Sequence, residues 1–163
     1  MRVLCVSDVH YHLPQMDWIL ERAGNYDVVV LAGDHLDTEN PTPLETQIAT
    51  VSEYLAAISQ LAPVLASSGN HDLDGPGSDG EQRASWLSAL GTPSIHVDGE
   101  TVDLEGTRFT VCPWWDGPQT KELVASQLKE AAIGSPERWI WVYHSPPAGT
   151  RLCKTGRGDF ADA

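Results

Sequence analysis

Three short runs of acidic, amide and imidazole side chains and one isolated histidine carry the residue types suited to chemistry. The first run is Asp8-Val9-His10. One residue apart in an extended segment, the carboxylate and the imidazole can leave the same face and converge on one ion. An oxygen and a nitrogen donor together suit a borderline divalent cation such as manganese, iron, cobalt or zinc. Alone, the pair is equally consistent with a loop histidine, which is how His12 is read. The second run is Gly33-Asp34-His35-Leu36-Asp37. Gly33 permits a sharp backbone turn, and Asp34 then presents two oxygens able to bridge two cations. Asp37, about one helical turn further on, either orients a histidine through its ring N–H or caps a helix. In the third run, Gly69-Asn70-His71-Asp72, the Asn70 carbonyl can face a cation. The adjacent His71 cannot easily reach the same ion, which frees it to act on a substrate as acid or hydrogen-bond donor. His144 is either a ligand or a structural histidine; its company favours the first.

Elements must bring these runs together. Apolar β-branched patterning predicts strands over residues 2–7, 27–32, 64–67, 95–97, 101–104, 108–112 and 139–143. Helical spacing is read over 14–23, 43–61, 81–90 and 119–132, the second carrying Leu44, Ile48, Val51, Leu55, Ile58 and Leu61 on one face. Residues 72–80 read as a loop, and no closing helix or strand is predicted after His144. Alternating strands and helices define an α/β chain. The four polar clusters fall at the ends of the first, second, third and last of these strands. Ligands of open α/β sheets bind outside the carboxyl ends of the strands, so one shared site is expected.

In this order, Asp8-x-His10, Gly33-Asp34-x-x-Asp37, Gly69-Asn70-His71-Asp72 and His144 resemble the signature of the calcineurin-like metallophosphoesterases over residues 1–147. That signature runs D-x-H, G-D-x-x-D, G-N-H-[ED], H and a final G-H-x-H. The resemblance implies two mixed β-sheets packed as a sandwich flanked by helices, with two divalent metal ions at one edge. Manganese is the first choice of metal, and iron, zinc, cobalt or magnesium the alternatives. By the same likeness Asp8 and His10 hold the first ion, Asp34 bridges both, and Asn70 and His144 hold the second. His71 faces the leaving group and Asp37 orients it. A water or hydroxide between the ions attacks phosphorus in line. The final G-H-x-H does not occur, and no histidine follows His144. A single domain over 1–163 is therefore expected, lacking the family's C-terminal strand or helix and last metal motif, as a fragment of a longer enzyme. The alternative is a complete chain in which His12, His35, His96 or another subunit fills the gap.

Composition sets outer bounds. The 163 residues and 17.7 kDa suffice for one domain with a real core. The net charge of −13, from 23 acidic and 10 basic residues, repels nucleic-acid backbones and argues against nucleic acid as a general partner. Bound cations reverse that sign locally, so metal-assisted chemistry on a phosphate-ester substrate stays open. Arg151, Lys154 and Arg157 are either a solvated loop or a patch attracting an anionic substrate. No apolar run approaches the ~18 residues of a membrane helix, and MRVLCVSDVH lacks a secretory signal; a soluble, cytoplasmic protein is expected. Cys5, Cys112 and Cys153 form no C-x-x-C pair and are read as small buried hydrophobes. Trp114-Trp115 either stacks a flat substrate group or packs the seam between sheets. Two functions follow: a hydrolase of phosphate mono- or diesters, which His71 favours, or a non-catalytic binding module on the same fold, which the missing motif favours.

Overall fold

The computed structural model describes residues 1–146 and, beyond them, the backbone of Lys154–Thr155 and Gly158–Asp159. In chain order the elements are β1 (Val3–Val6), α1 (Leu13–Ala23), β2 (Val28–Ala32), α2 (Leu44–Ser59), β3 (Val64–Ser67), a 3-10 turn (Asn70–Asp72), β4 (Gly75–Pro76), β5 (Gln82–Arg83), α3 (Ser85–Ser88), β6 (Ile95–Val97), β7 (Thr101–Leu104), β8 (Thr107–Val111), α4 (Pro118–Ala131), β9 (Trp139–Val142), β10 (Lys154–Thr155) and β11 (Gly158–Asp159). Strands β1-β2-β3-β6 form a wholly parallel sheet, and β7-β8-β9 a mixed one in which β8 runs antiparallel to β7 and parallel to β9.

Alternation along β2 explains the layering. Val29 and Leu31 join Leu4, Val64 and Ala66 against Met16 and Ile19 of α1 and Val51, Leu55 and Ile58 of α2. Val28 and Val30, pointing the other way, meet Leu65, Phe109, Val111 and Val142 between the sheets. A central parallel strand buried on both faces reads as a continuous apolar run, as VVVLA does. On α2 Val51, Leu55 and Ile58 are buried and Leu44 and Ile48 half-buried, but Leu61 falls beyond the helix end and is 52% exposed. Arg108 clamps the second sheet to the end of α4, pairing with Asp103 through two 2.9 Å bonds and donating to the Ala131 and Ile133 carbonyls.

Three expectations need correction. Residues 81–90 hold only the short helix α3. Gln82 and Arg83 instead pair with Gly75 and Pro76 of the supposed loop in a hairpin, and both oxygens of the Asp74 carboxylate accept N–H bonds from Ser85 and Trp86, starting the helix late. Second, Cys112 is buried but Cys5 is exposed: it lies on the sheet face turned toward β8, at the outermost strand β1. Third, β10 and β11 form an antiparallel pair where no strand was predicted. Pro147, Cys153, Arg151 and Arg157, and the Lys154 side chain, lie outside the described residues.

At the end of β6, Asp98 accepts the Ser68 N–H at 2.9 Å. Burial raises its carboxyl to about 6, outweighing the Ser68 hydrogen bonds, with the Asp72 charge adding to the rise. A folded value above the ordinary 3.8 stabilises the protein fully below about pH 4, and that contribution is lost as pH rises through about 6. Asp98→Asn is accordingly expected to stabilise the fold by about 1–3 kcal/mol at pH 7.5, since partial exposure discounts the full shift. The gain should vanish below pH 4, as urea midpoints across pH would reveal.

Candidate functional site

The site is built where β1, β2, β3 and β9 end. Three backbone bonds zip the exit of β1 to that of β2: Asp8 N–H to the Gly33 carbonyl (3.1 Å), His10 N–H to Asp34 (2.9 Å) and Tyr11 N–H to His35 (2.9 Å). Asp8, His10 and Tyr11 take left-handed conformations with φ of 56°, 45° and 54°, and Asp34 one of 55°. Such strain in non-glycine residues persists where surrounding structure over-determines it, and it clusters at functional sites. Gly33 has a φ of 82°, and a Cβ there would stand 2.6 Å from the His144 ring. Glycine thus serves both the turn and the approach of the histidine.

Asp34 is the hub, 4% exposed. Its Oδ2 lies 3.3 Å from His144 Nε2 and 3.6 Å from His10 Nε2, while Oδ1 accepts the His71 N–H at 3.0 Å. Potential ligand atoms of Asp8, Asp34 and His144 lie within 4.8 Å of one another, as do those of His10, Asp37 and His71. Asp8 and His10 were expected to converge by strand alternation. Beyond β1 the chain is a left-handed turn, which instead sends Asp8 to the His144 group and His10 to the His71 group, with Asp34 between. Asn70 is exposed at the start of the 3-10 turn, between Asp34's neighbour Gly69 and His71.

The electrostatics suit a cation. Burial pushes the Asp34 carboxyl up, but the His144 hydrogen bond, the His71 N–H and both imidazole charges hold it below the ordinary carboxylate range. Burial lowers His144, yet Asp34, the Ala32 carbonyl and the Asp8 charge raise it to about 9. His144 Nδ1 donates to Ala32 O at 2.9 Å, which fixes the ring and turns Nε2 toward Asp34. Two carboxylates within 4.8 Å and an imidazole locked from behind form a donor set that fits a divalent ion.

Three residues were missed or left without a role. Asp72, fully buried, accepts N–H bonds from Asp34 (2.8 Å), His35 (2.8 Å), Leu36 (3.0 Å) and Gly69 (2.8 Å). It was legible as the last letter of G-N-H-D, though its task was not. Thr38 joins Asp37 beside His71: its Oγ1 lies 3.0 Å and its N–H 3.5 Å from Nδ1, while an Asp37 carboxylate oxygen lies within 4.8 Å of a His71 ring nitrogen. Gln47, buried on α2, accepts the Asp37 N–H and donates to the Asp37 and Thr42 carbonyls. An amide on an otherwise apolar helix face was its only signal. The alternative histidines stay apart: His35 is buried against Ser67 O at 2.9 Å, His96 pairs with Glu100, and His12 is exposed at the start of α1.

Trp114 stacks on Tyr143 (6.5 Å between centroids, 13° between planes) and meets the His144 ring edge-on at 5.8 Å. Trp115 leans on the same tyrosine and carries Lys121 over its ring.

The chain belongs to the calcineurin-like phosphoesterases, whose family model matches residues 1–152. No curated protein matches the sequence significantly. One solved crystal structure is 16% identical, with a TM-score of 0.58, covering 96% of this chain and 73% of its own. The purple acid phosphatase PPD1 of yellow lupin (Lupinus luteus) seeds is 17% identical with a TM-score of 0.51, over 86% of this chain and 29% of that one. These likenesses bear out the α/β architecture. Family membership makes the chain a metal-dependent phosphoester hydrolase at family level, and its site residues form groups able to hold metal. No helix among the described residues is long and apolar enough to cross a membrane.

Proposed function

We propose that this protein hydrolyses phosphate mono- or diesters at a two-ion centre held by Asp8, His10, Asp34, Asn70 and His144, with manganese as the preferred metal. Asp34 carries the reading: one buried carboxylate stands between two clusters of potential ligands, its Oδ2 facing His10 and His144 and its Oδ1 accepting the backbone N–H of His71. Bound there, divalent cations supply the positive charge that neutralises phosphoryl oxygens and acidifies an attacking water. The chain's own residues do the rest. The His144 ring is held through the Ala32 carbonyl and the Asp34 backbone through Asp72, so little reorganisation is needed as charge develops. The Thr38 N–H can only donate, so His71 Nδ1 accepts and the ring proton resides on Nε2, available to a leaving oxygen. Asp37 acts on that histidine through the loop that Gln47 pins, with Thr38 as its direct contact.

One domain over 1–163, without the family's G-H-x-H, is part of the same reading, as is a cytoplasmic setting, supported by the free thiols of Cys5 and Cys112. The test is turnover of p-nitrophenyl phosphate and bis(p-nitrophenyl) phosphate with added manganese. Absence of turnover on both, with metal demonstrably bound, defeats the proposal and favours a binding module.

The role of His71 has its own signature. His71→Gln is expected to lower kcat on phenyl phosphate about 100-fold. On p-nitrophenyl phosphate, whose leaving group needs little protonation, the loss should be much smaller, with manganese content unchanged. Equal losses on both would remove the acid role.

A further inference from the structure

Beside the metal-ligand cluster, at the same carboxyl edge, the ends of β3, β6 and β8 enclose a cavity of about 400 Å³. Trp114 belongs to both places, lining the cavity and touching the His144 ring. The inner wall is Ser68, Ala84, Asp98 and Trp114; Gln127 and the exposed Glu130 stand on the α4 side. Arg83 also lines it, but its guanidinium is already paired with Asp79. Among the described residues no basic side chain pairs with Asp98 or Glu130, and the Trp114 side chain lines the wall beside them.

We propose that this cavity binds an ammonium group on a flat apolar body, the amine seated on Asp98 and the body against Trp114, as the organic part of the phosphate ester. Three observations support the chemistry. Asp98 is oriented by the Ser68 N–H and, as a carboxylate, has lone pairs left for a further donor. An indole face attracts cations as well as flat rings. A second anionic group would meet Asp98 and Glu130 on a protein of net charge −13, which excludes it. The cavity is also mechanically tied to the centre. Ser68 holds the Trp114 N–H through its hydroxyl at 2.9 Å, and it immediately precedes Gly69, which packs on Asp34.

The link to the ester rests on the hydrolase reading; the preference for an amine does not. Calorimetry of the full chain with 2-phenylethylamine and its neutral match 2-phenylethanol separates the two. The amine is expected to bind about tenfold tighter or better, the worth of one charge-assisted contact. Asp98→Asn should erase that difference, and Ser126→Phe, which fills the cavity from α4, should abolish binding of both. Equal affinities in the native protein, a preference surviving Asp98→Asn, or binding unaffected by Ser126→Phe each overturn the site. In turnover, tyramine phosphate should exceed 4-ethylphenyl phosphate about tenfold in kcat/KM, and Asp98→Asn should level them. No turnover of either ester, with amine binding intact and p-nitrophenyl phosphate or bis(p-nitrophenyl) phosphate still hydrolysed, removes the link to the ester while the amine site and the hydrolase reading stand; failure of all four esters, with metal bound, refutes the hydrolase reading as well.

Discussion

Asp34→Asn is expected to reduce phosphoester turnover by about a thousandfold or more, while leaving the protein folded. Loss of one cation's contribution corresponds to several kcal/mol of transition-state stabilisation, and each 1.4 kcal/mol is about tenfold. The amide keeps the shape and can still accept the His71 N–H that Oδ1 now takes at 3.0 Å. It cannot keep the charge. Oδ2 is the atom shared between His10 and His144, and Asp8 approaches the same point from the β1 turn. With the negative charge gone, Asp8 and His144 remain on one side and His10 on the other, and shared coordination is lost. Manganese titration by calorimetry should show a lower stoichiometry or an affinity weakened by about a hundredfold. Circular dichroism and the urea midpoint should stay near those of the parent. Turnover within tenfold of the parent, at saturating manganese, would remove Asp34 from the centre of the chemistry.

Why was Asp34 legible in the sequence when its supports were not? Its signal combined residue type with position: a carboxylate directly after a glycine, at the end of VVVLA, a strand unmistakable from its β-branched run. Asp8, His10, His71 and His144 shared that kind of signal, because parallel strands deliver their ends to one edge regardless of side-chain detail. The two-sheet layering came from the family resemblance, since VVVLA in β2 is apolar throughout; the β7–β8 hairpin was legible by itself, through alternation and a Glu105-Gly106 turn whose residues both have positive φ. What escaped was anything depending on long-range backbone pairing. Gln82 and Arg83 form a strand because Gly75 and Pro76 come alongside, and α3 starts at Ser85 because Asp74, eleven residues earlier, accepts its N–H. Thr38 at His71 escaped likewise, since a threonine after Asp37 carries no spacing signal. The left-handed turn at Asp8–Tyr11 had none either: aspartate and histidine tolerate positive φ better than tyrosine, and the turn is held by the β2 exit's hydrogen bonds and by the His12 N–H on the Val9 carbonyl.

Asp72→Asn is expected to be the most destabilising conservative change in the site, at about 3–5 kcal/mol. The side chain is fully buried and both oxygens are doubly used. Oδ2 accepts the N–H groups of Asp34 and Gly69, and Oδ1 those of His35 and Leu36. An asparagine supplies one such oxygen; its NH2 group then points at two N–H donors, leaving them unsatisfied and repelled. Each buried donor so stranded costs about 1–3 kcal/mol, and the loss of charge weakens the remaining two bonds. Against a total stability of about 5–15 kcal/mol, the urea midpoint should fall sharply with little change in slope. Activity should fall as well, in protein still folded at low urea, because the four donors are the backbone that sets Asp34 and the turn carrying Asn70 and His71. Gly69 packs so closely on Asp34, with room for no Cβ, that the two segments cannot separate without moving the hub carboxylate. Asp72→Ala should behave similarly, since water entering its place could satisfy some donors but restore no charge. A loss below about 1 kcal/mol in both variants would mean that the two strand exits are held by something other than this carboxylate.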